Sequence, residues 1–189
     1  MKKKALIFDC FGVVASPAIS HWILNNLGPE FNKAELLNRF DLGEISCDEM
    51  LCVFSKLACR SSDVIHQEIT TYCTLDFELI DYIKELKATA YKIILLTNAN
   101  GSFLEQFICK EYPWFRDLFD SIVISSEIKM VKPNKDIYLH SLKVNCLSPE
   151  DAIFIDDSSS NILGAEKVGI PSILFRDTQQ LKADLLKYL

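Results

Sequence analysis

The chain lacks the sequence patterns that mark several large classes of protein. Its seven cysteines form no C-x-x-C pair, so neither a zinc ribbon nor a disulfide framework is indicated. Glycine-rich phosphate loops and the H-E-x-x-H zinc pattern are also absent. No apolar run is long enough to span a bilayer, and the first one stops at Asp9. We therefore expect a cytoplasmic protein with free thiols, no signal peptide and no membrane partner.

An excess of basic residues is missing as well. Lysine and arginine number 20 against 26 acidic residues, which gives a formal net charge of -6. The single basic cluster, Lys2–Lys4, is more simply a solvated lead-in to the first strand than a site for phosphate backbones. Nucleic acid is therefore not an expected partner. The 189 residues are 49% hydrophobic and contain no low-complexity tract, which suits one globular domain with or without an insert.

Five short apolar runs are present, and they are typical of strands buried on both faces of a parallel sheet. They are Leu6–Phe8, Lys92–Leu96, Ser121–Ser125, Ala152–Ile155 and Ile170–Phe175. From the second run onward the strands alternate with helical periodicity, which predicts right-handed crossovers. The sequence thus predicts an α/β fold built on a doubly wound parallel sheet.

A block with only helical periodicity separates the first strand from the second. Within it, Ser46 and Glu49 have the spacing of a capping box, and Asp76 is the expected N-cap of its last helix. The block is too long for a single crossover. We therefore interpret residues 16–83 as an inserted helical cap, and residues 1–15 and 84–189 as the α/β core.

Polar side chains end three of the predicted strands. Asp9 follows the first, Thr97 and Asn98 end the second, and Asp156 and Asp157 end the fourth. Because ligands bind outside the carboxyl ends of strands in an open α/β sheet, these side chains should converge on one edge.

The chemistry of these side chains suits a metal ion and a phosphate together. The carboxylates offer the hard oxygen ligands that Mg²⁺ prefers. Lys132, which stands before a predicted helix, adds a positive charge to the donors of Thr97 and Asn98 for phosphate oxygens. Crowded carboxylates repel one another unless a cation or protonation relieves them.

Four segments that contain these polar residues follow one another along the chain. They are Phe8-Asp9-Cys10-Phe11-Gly12-Val13-Val14, Leu95-Leu96-Thr97-Asn98, Val131-Lys132-Pro133 through Ile137-Tyr138, and Phe154-Ile155-Asp156-Asp157-Ser158 with Asn161 and Gly164-Ala165. In this order they resemble the motifs of the haloacid dehalogenase superfamily of hydrolases. The likeness covers nearly the whole chain, including a helical cap directly after the first motif. The turn at Gly43–Ser46 is also similar to members related to sugar-phosphate phosphatases and to the amino-terminal domain of soluble epoxide hydrolases.

This resemblance implies a Rossmann-like core and a Mg²⁺-dependent hydrolase of small phosphomonoesters, sugar phosphates included. It makes Asp9 the nucleophile that forms an aspartyl-phosphate, and Lys132 the cation that steadies the nucleophile and the transferring charge. It also implies two sets of binding residues. The phosphoryl group is bound by Thr97, Asn98 and Lys132, and Mg²⁺ by Asp9, the backbone carbonyl of Phe11, Asp156 and Asp157.

One position departs from the family pattern. Most phosphatases of the family carry a second aspartate two residues after the nucleophile, where this chain has Phe11. That aspartate protonates the leaving group and then activates water, so a contribution of about 10²–10⁴-fold is at stake. The group that replaces it is open, and Asp156 is one candidate.

Two alternative functions follow from Phe11. Dehalogenases of the family usually have tyrosine at this position and use the aspartate nucleophile without a metal. Against that reading, the carboxylates of Asp156 and Asp157 would repel a haloacid substrate. The other alternative is a binding or regulatory domain that kept the pocket but lost efficient turnover. We favour the phosphatase.

Overall fold

The computed structural model of the protein describes residues 5–188, so the basic cluster Lys2–Lys4 lies outside the described residues. The apolar runs form one five-stranded parallel sheet with the strand order β3-β2-β1-β4-β5. The strands are β1 (Ala5–Phe8), β2 (Lys92–Thr97), β3 (Ser121–Ile124), β4 (Ala152–Asp156) and β5 (Ser172–Leu174). This confirms the predicted fold class.

Alternate residues of the central strands point into two apolar layers. Leu6 and Phe8 of β1 face the larger layer, which also contains the helices between β1 and β2. Ala5 and Ile7 face the smaller one, which Tyr138 and Phe154 complete. Burial on both faces explains why β1 is an unbroken apolar run, since neither side of the strand meets water.

Five helices lie between β1 and β2. They are α1 (Ala18–Leu27), α2 (Ala34–Asp41), α3 (Cys47–Ala58), α4 (Ser62–Tyr72) and α5 (Phe77–Ala88). Helices α1, α3 and α4 pack on one another, whereas α5 packs on β2. Both predicted helix N-caps are present. Ser46 and Glu49 form a reciprocal capping box, and the Asp76 carboxylate accepts from Leu79 N–H. The division into a cap at 16–83 and a core stays a prediction.

The remaining helices cover the two faces of the sheet. They are α6 (Gly101–Leu104), which continues as a π-helical turn (Glu105–Cys109), then α7 (Ser125–Ile128), α8 (Lys135–Val144), α9 (Ser159–Glu166) and α10 (Thr178–Leu185). Ser125 begins α7 and is not the last residue of β3, which differs from the predicted strand. Within residues 5–188, no helix combines the length and the apolar character needed to cross a membrane.

The sheet order decides where the polar strand ends lie. Strand β1 is central, with β2 and β4 as its parallel neighbours, and Phe8 is in register with Leu95 and Ile155. The residues that follow these three positions therefore meet at the same edge. Asp9 is anchored there by its N–H, which donates to the carbonyl of Ile155 at 2.9 Å.

Candidate active site

A buried lysine joins the ends of all three central strands. The Nζ of Lys132 lies 2.7 Å from Asp9 Oδ1 and 2.7 Å from Asp156 Oδ2, and it donates to the carbonyl of Leu96 at 3.0 Å. An ammonium group has three N–H donors, so these contacts use its full capacity. The lysine side chain is 0% exposed. One positive charge is therefore held between two buried carboxylates.

Asn98 holds the backbone of Lys132 in place. Its side-chain Oδ1 accepts from Lys132 N–H at 2.8 Å, and its Nδ2 donates to the Lys132 carbonyl at 3.0 Å. An amide nitrogen has two hydrogens, so one donor of Asn98 remains for a ligand. The strand end thus positions the lysine that lies 34 residues further along the chain.

Asp156 is enclosed by its own hydrogen bonds. Besides Lys132, its carboxylate accepts from Ser158 N–H at 2.8 Å and from Asn161 Nδ2 at 3.0 and 3.1 Å. The residue is 0% exposed. A side chain so enclosed cannot reach the leaving group of a substrate, so Asp156 does not fit the role of the missing acid.

Asp157 lies against the turn that follows Asp9. Gly12 in that turn has φ +102°, and a Cβ there would lie 2.3 Å from Asp157 Oδ2. Glycine at this position allows both the backbone conformation and the close approach of the carboxylate. Oxygen atoms of Asp9, Asp156 and Asp157 lie within 4.8 Å of one another, which fits the ligand set of a hard divalent cation.

The charges of this cluster do not balance within the protein. Burial raises the pKa of Asp9 to about 7; Lys132 opposes this shift, while Asp156 adds to it. Burial and the neighbouring Asp156 also raise the pKa of Asp157. Burial disfavours the charged form of Lys132, but the two carboxylates outweigh it and raise the lysine pKa. Three carboxylates around one ammonium leave an excess negative charge that a divalent cation would neutralise.

A buried hydroxyl group next to the cluster has no partner within the part of the chain that the structure describes. Thr97 is 0% exposed, and its Oγ1 makes no hydrogen bond there. Such an orphaned group is costly, and the cost is relieved when a ligand supplies the missing bond. A phosphate oxygen is an acceptor that suits it.

An apolar cavity of about 150 Å³ opens beside the cluster. The rings of Phe11 and Phe40 both pack edge-on against Phe103, with ring centroids 5.6 and 6.0 Å from it. The cavity is lined by residues of the segment between β1 and β2 and by residues that follow β2. They are Phe11, Pro17, Ala18, Ile19, Ser20, Leu37, Phe40, Asp41, Asn98, Ala99 and Phe103. It gives room for the organic part of a ligand.

The structure brings Asp9, Asp156, Asp157 and Lys132 together, with Thr97 and Asn98 at the end of the adjacent strand. It also adds one residue that sequence reasoning missed. Asp41 lines the cavity from the end of α2. Only its place two residues before Gly43–Ser46, the turn that resembles other members of the family, could have indicated a role.

Comparisons with known proteins show the family to which the chain belongs. A model of the haloacid dehalogenase-like hydrolase family matches residues 29–175. The sesquiterpene phosphatase astK of Aspergillus oryzae is 29% identical over 181 residues, which cover 93% of this chain and 91% of that protein. The D-ribitol-5-phosphate phosphatase of Bacteroides thetaiotaomicron is 23% identical over 184 residues, 88% of each chain.

Solved structures share the fold. The HAD family enzyme bt-2542 from Bacteroides thetaiotaomicron, in complex with magnesium and inorganic phosphate, matches with a TM-score of 0.75. It is 22% identical in sequence, and the match covers 95% of this chain and 98% of that one. The family model spans most of the chain and the relatives span nearly all of it, so this protein belongs to the haloacid dehalogenase-like hydrolases and is an enzyme of that family.

Proposed function

We propose that the protein is a Mg²⁺-dependent phosphatase that hydrolyses small phosphomonoesters through an aspartyl-phosphate on Asp9. The observation that carries this proposal is Lys132, whose buried Nζ lies 2.7 Å from both Asp9 and Asp156. A fixed cation beside a nucleophilic carboxylate suits a reaction in which negative charge moves from substrate to enzyme.

The first step is attack by Asp9 on phosphorus. Oδ1 of Asp9 already accepts from Lys132 Nζ and from the N–H of Cys10, each at 2.7 Å, so Oδ2 is the freer oxygen. A new bond forms between this oxygen and phosphorus, and the ester bond breaks with its electron pair on the leaving oxygen. The hydroxyl of Thr97 and the spare amide hydrogen of Asn98 donate to the phosphoryl oxygens.

The second step is hydrolysis of the phosphorylated aspartate. Water attacks phosphorus, the acyl-phosphate bond breaks at phosphorus, and inorganic phosphate leaves with Asp9 regenerated as a carboxylate. Lys132 keeps its contacts with Asp9 and Asp156 through both steps. It therefore stabilises the charge on Asp9 and on the transferring group without a rearrangement of the site.

Mg²⁺ would be held by Asp9, Asp157 and the backbone carbonyl of Phe11, with Asp156 beside them. When bound, the ion would neutralise the phosphoryl oxygens and the excess carboxylate charge. Gly12 supports this assignment, since only a residue without a Cβ lets Asp157 come so close to the turn after β1.

The substrate is a small phosphorylated molecule. The relatives are named for a sesquiterpene and for D-ribitol 5-phosphate, so both an apolar and a polyol leaving group are candidates. The walls around Phe11, Phe40 and Phe103 favour the apolar group, because hydroxyl groups would find few partners there. We also propose a cytoplasmic location, which the seven free thiols support.

Hydrolysis of a panel of phosphates tests this proposal. The panel contains aryl, anomeric, polyol and long-chain alkyl phosphates, each assayed with Mg²⁺ and with a chelator, and Asp9→Asn serves as the blank. Phosphate release that needs both Mg²⁺ and Asp9 supports the proposal, and no release above the blank on any member overturns it. The same protein with 2-haloacids and no metal tests the dehalogenase, for which halide release is the positive result. No activity on either class would favour a binding domain.

A further inference from the structure

The missing proton donor has one structural candidate in the cavity. Cleavage of an alkyl phosphate leaves an alkoxide, which needs a proton as the ester bond breaks. Phe11 cannot supply one. Among the described residues that line the cavity, Asp41 is the one with an ionisable side chain.

Asp41 is held at the cavity by contacts between the cap and the core. It is the last residue of α2, and its backbone carbonyl accepts from Ser125 Oγ at 2.6 Å. On one side of it, the carbonyl of Phe40 accepts from Asn100 Nδ2 at 3.4 Å. On the other, the carbonyl of Leu42 accepts from Lys129 Nζ at 2.8 Å. Three residues that follow β2 and β3 thus fix the backbone of this segment.

The carboxylate itself is left free by these contacts. Within residues 5–188, Asp41 makes neither a side-chain hydrogen bond nor an ion pair. A carboxyl group in an apolar pocket without a partner is available to a ligand. It shares that pocket with Asn98, which is bonded to the backbone of Lys132 and is one of the residues proposed to bind the phosphoryl group.

We propose that Asp41 is the general acid and base of this enzyme, taking the role that the family pattern gives to the position of Phe11. In the first step its carboxyl proton passes to the leaving oxygen, so the product departs as a neutral alcohol. In the second step the resulting carboxylate takes a proton from the water that attacks the aspartyl-phosphate, which returns Asp41 to its starting form. This inference rests on the proposed phosphatase function.

The surroundings of Asp41 suit both roles. Burial raises its pKa to about 7, and the charge of Lys132 offsets only part of that shift. Helix α1 contributes no charged side chain to the cavity wall. The other charged groups nearby are engaged elsewhere: Arg39 lies 3.5 Å from Glu44, and Lys129 bonds to backbone carbonyls. From α7, Glu127 packs toward Gly101.

The leaving-group dependence of Asp41→Asn tests the proposal. Values of kcat/KM are measured for p-nitrophenyl, phenyl and hexyl phosphate with wild type, Asp41→Asn, Asp41→Glu and the blank Asp9→Asn. We expect Asp41→Asn to lose about 10²-fold or more on hexyl phosphate, because a poor leaving group needs the acid. Its kcat/KM for p-nitrophenyl phosphate should stay close to that of wild type. Asp41→Glu should recover part of the loss of kcat/KM on hexyl phosphate. Glu35→Gln, an exposed change on the same helix, is the matched control.

A second readout separates the base role from a structural one. With p-nitrophenyl phosphate, Asp41→Asn should release a burst of p-nitrophenol and then slow down, because its phosphorylated form hydrolyses slowly. An equal loss of kcat/KM on all three substrates, or no loss on any, would overturn the role of Asp41. If the activity of wild type does not exceed that of Asp9→Asn on any substrate, the phosphatase proposal is wrong. The proposed role of Asp41, which rests on it, is then wrong as well.

Discussion

At the scale of single residues, the Asp41 carboxylate should lower the free energy of unfolding of the protein. Its pKa rises from 3.8 in a solvated chain to about 7 in the folded protein. Between these values the folded state holds a proton that the unfolded state has released. The free energy of unfolding therefore falls as pH rises from about 4 to about 7, and the loss is complete above that range.

We predict that Asp41→Asn is more stable than wild type at pH 8. The gain should be about 1 to 3 kcal/mol, less than the full shift implies because the side chain is partly exposed to solvent. It should shrink as pH falls and vanish near pH 4, where both states of wild type are protonated at Asp41. Urea unfolding at pH 4, 6 and 8 measures this. A gain that does not depend on pH, or the same gain in Glu35→Gln, would contradict the prediction.

Asp41 is also the residue of the candidate site that could not be predicted from the sequence. Asp9, Thr97 and Asp156 could be found because each ends a strand, and parallel strands carry their ends to one edge. Asp41 ends α2, and nothing in the sequence of that segment indicates which part of the sheet the helix lies against. Its position depends on tertiary contacts such as Ser125 Oγ to its carbonyl, 84 residues apart.

At the scale of elements, the turn after β1 makes room for the proposed metal site. Gly12 has φ +102° and faces Asp157, whereas Gly28 at the end of α1 has φ +81° with no atom within 4 Å of a built Cβ. Alanine at either position strains the backbone by about 1 to 3 kcal/mol. Only at Gly12 does the new methyl group also meet a carboxylate.

We predict that Gly12→Ala loses its response to Mg²⁺, while Gly28→Ala loses stability alone. The methyl group that Gly12→Ala introduces would displace Asp157 from the other two carboxylates, so the Mg²⁺ concentration for half-maximal activity should rise at least tenfold, a change of about 1.4 kcal/mol in binding. Mg²⁺ titrations of phosphatase activity measure this, and thermal unfolding compares the backbone strain. Equal Mg²⁺ responses in the two variants would show that the close approach of Gly12 and Asp157 does not matter.

At the scale of the whole molecule, the sheet could be predicted, but the packing of the helices between β1 and β2 could not. The three central strands, β1, β2 and β4, are short, apolar and almost wholly buried on both faces, so their sequences alone identify them. The apolar stripe of α3, with Met50 and Phe54, predicts burial of one face but not the partner that buries it. Phe54 in fact stacks on Trp22 of α1 at 4.7 Å. Such pairings between amphipathic helices are decided by shape rather than by periodicity.

The charge of the active site should also couple Mg²⁺ binding to the stability of the whole protein. Without a cation, Asp9, Asp156 and Asp157 crowd around Lys132, and burial of these carboxylates raises the pKa of Asp9 and of Asp157. A cation that binds only the folded state stabilises it, by about 2.7 kcal/mol when its free concentration is 100 times the dissociation constant. We therefore predict that Mg²⁺ raises the melting temperature of wild type and that a chelator lowers it.

We predict that the melting temperatures of Asp157→Asn and wild type have opposite orders in chelator and in Mg²⁺. In chelator it should melt at or above the wild-type temperature, because one carboxylate of the crowded set has lost its charge. In saturating Mg²⁺ it should melt below wild type, because the ion has lost a charged ligand. Glu111→Gln, an exposed change of equal charge, should follow wild type in both buffers. If Asp157→Asn gained as much from Mg²⁺ as wild type does, Asp157 would not be a ligand and the excess charge would need another explanation. If the order of the two melting temperatures reverses between the buffers, the cluster is electrostatically unfavourable by itself and is stabilised by the bound metal ion.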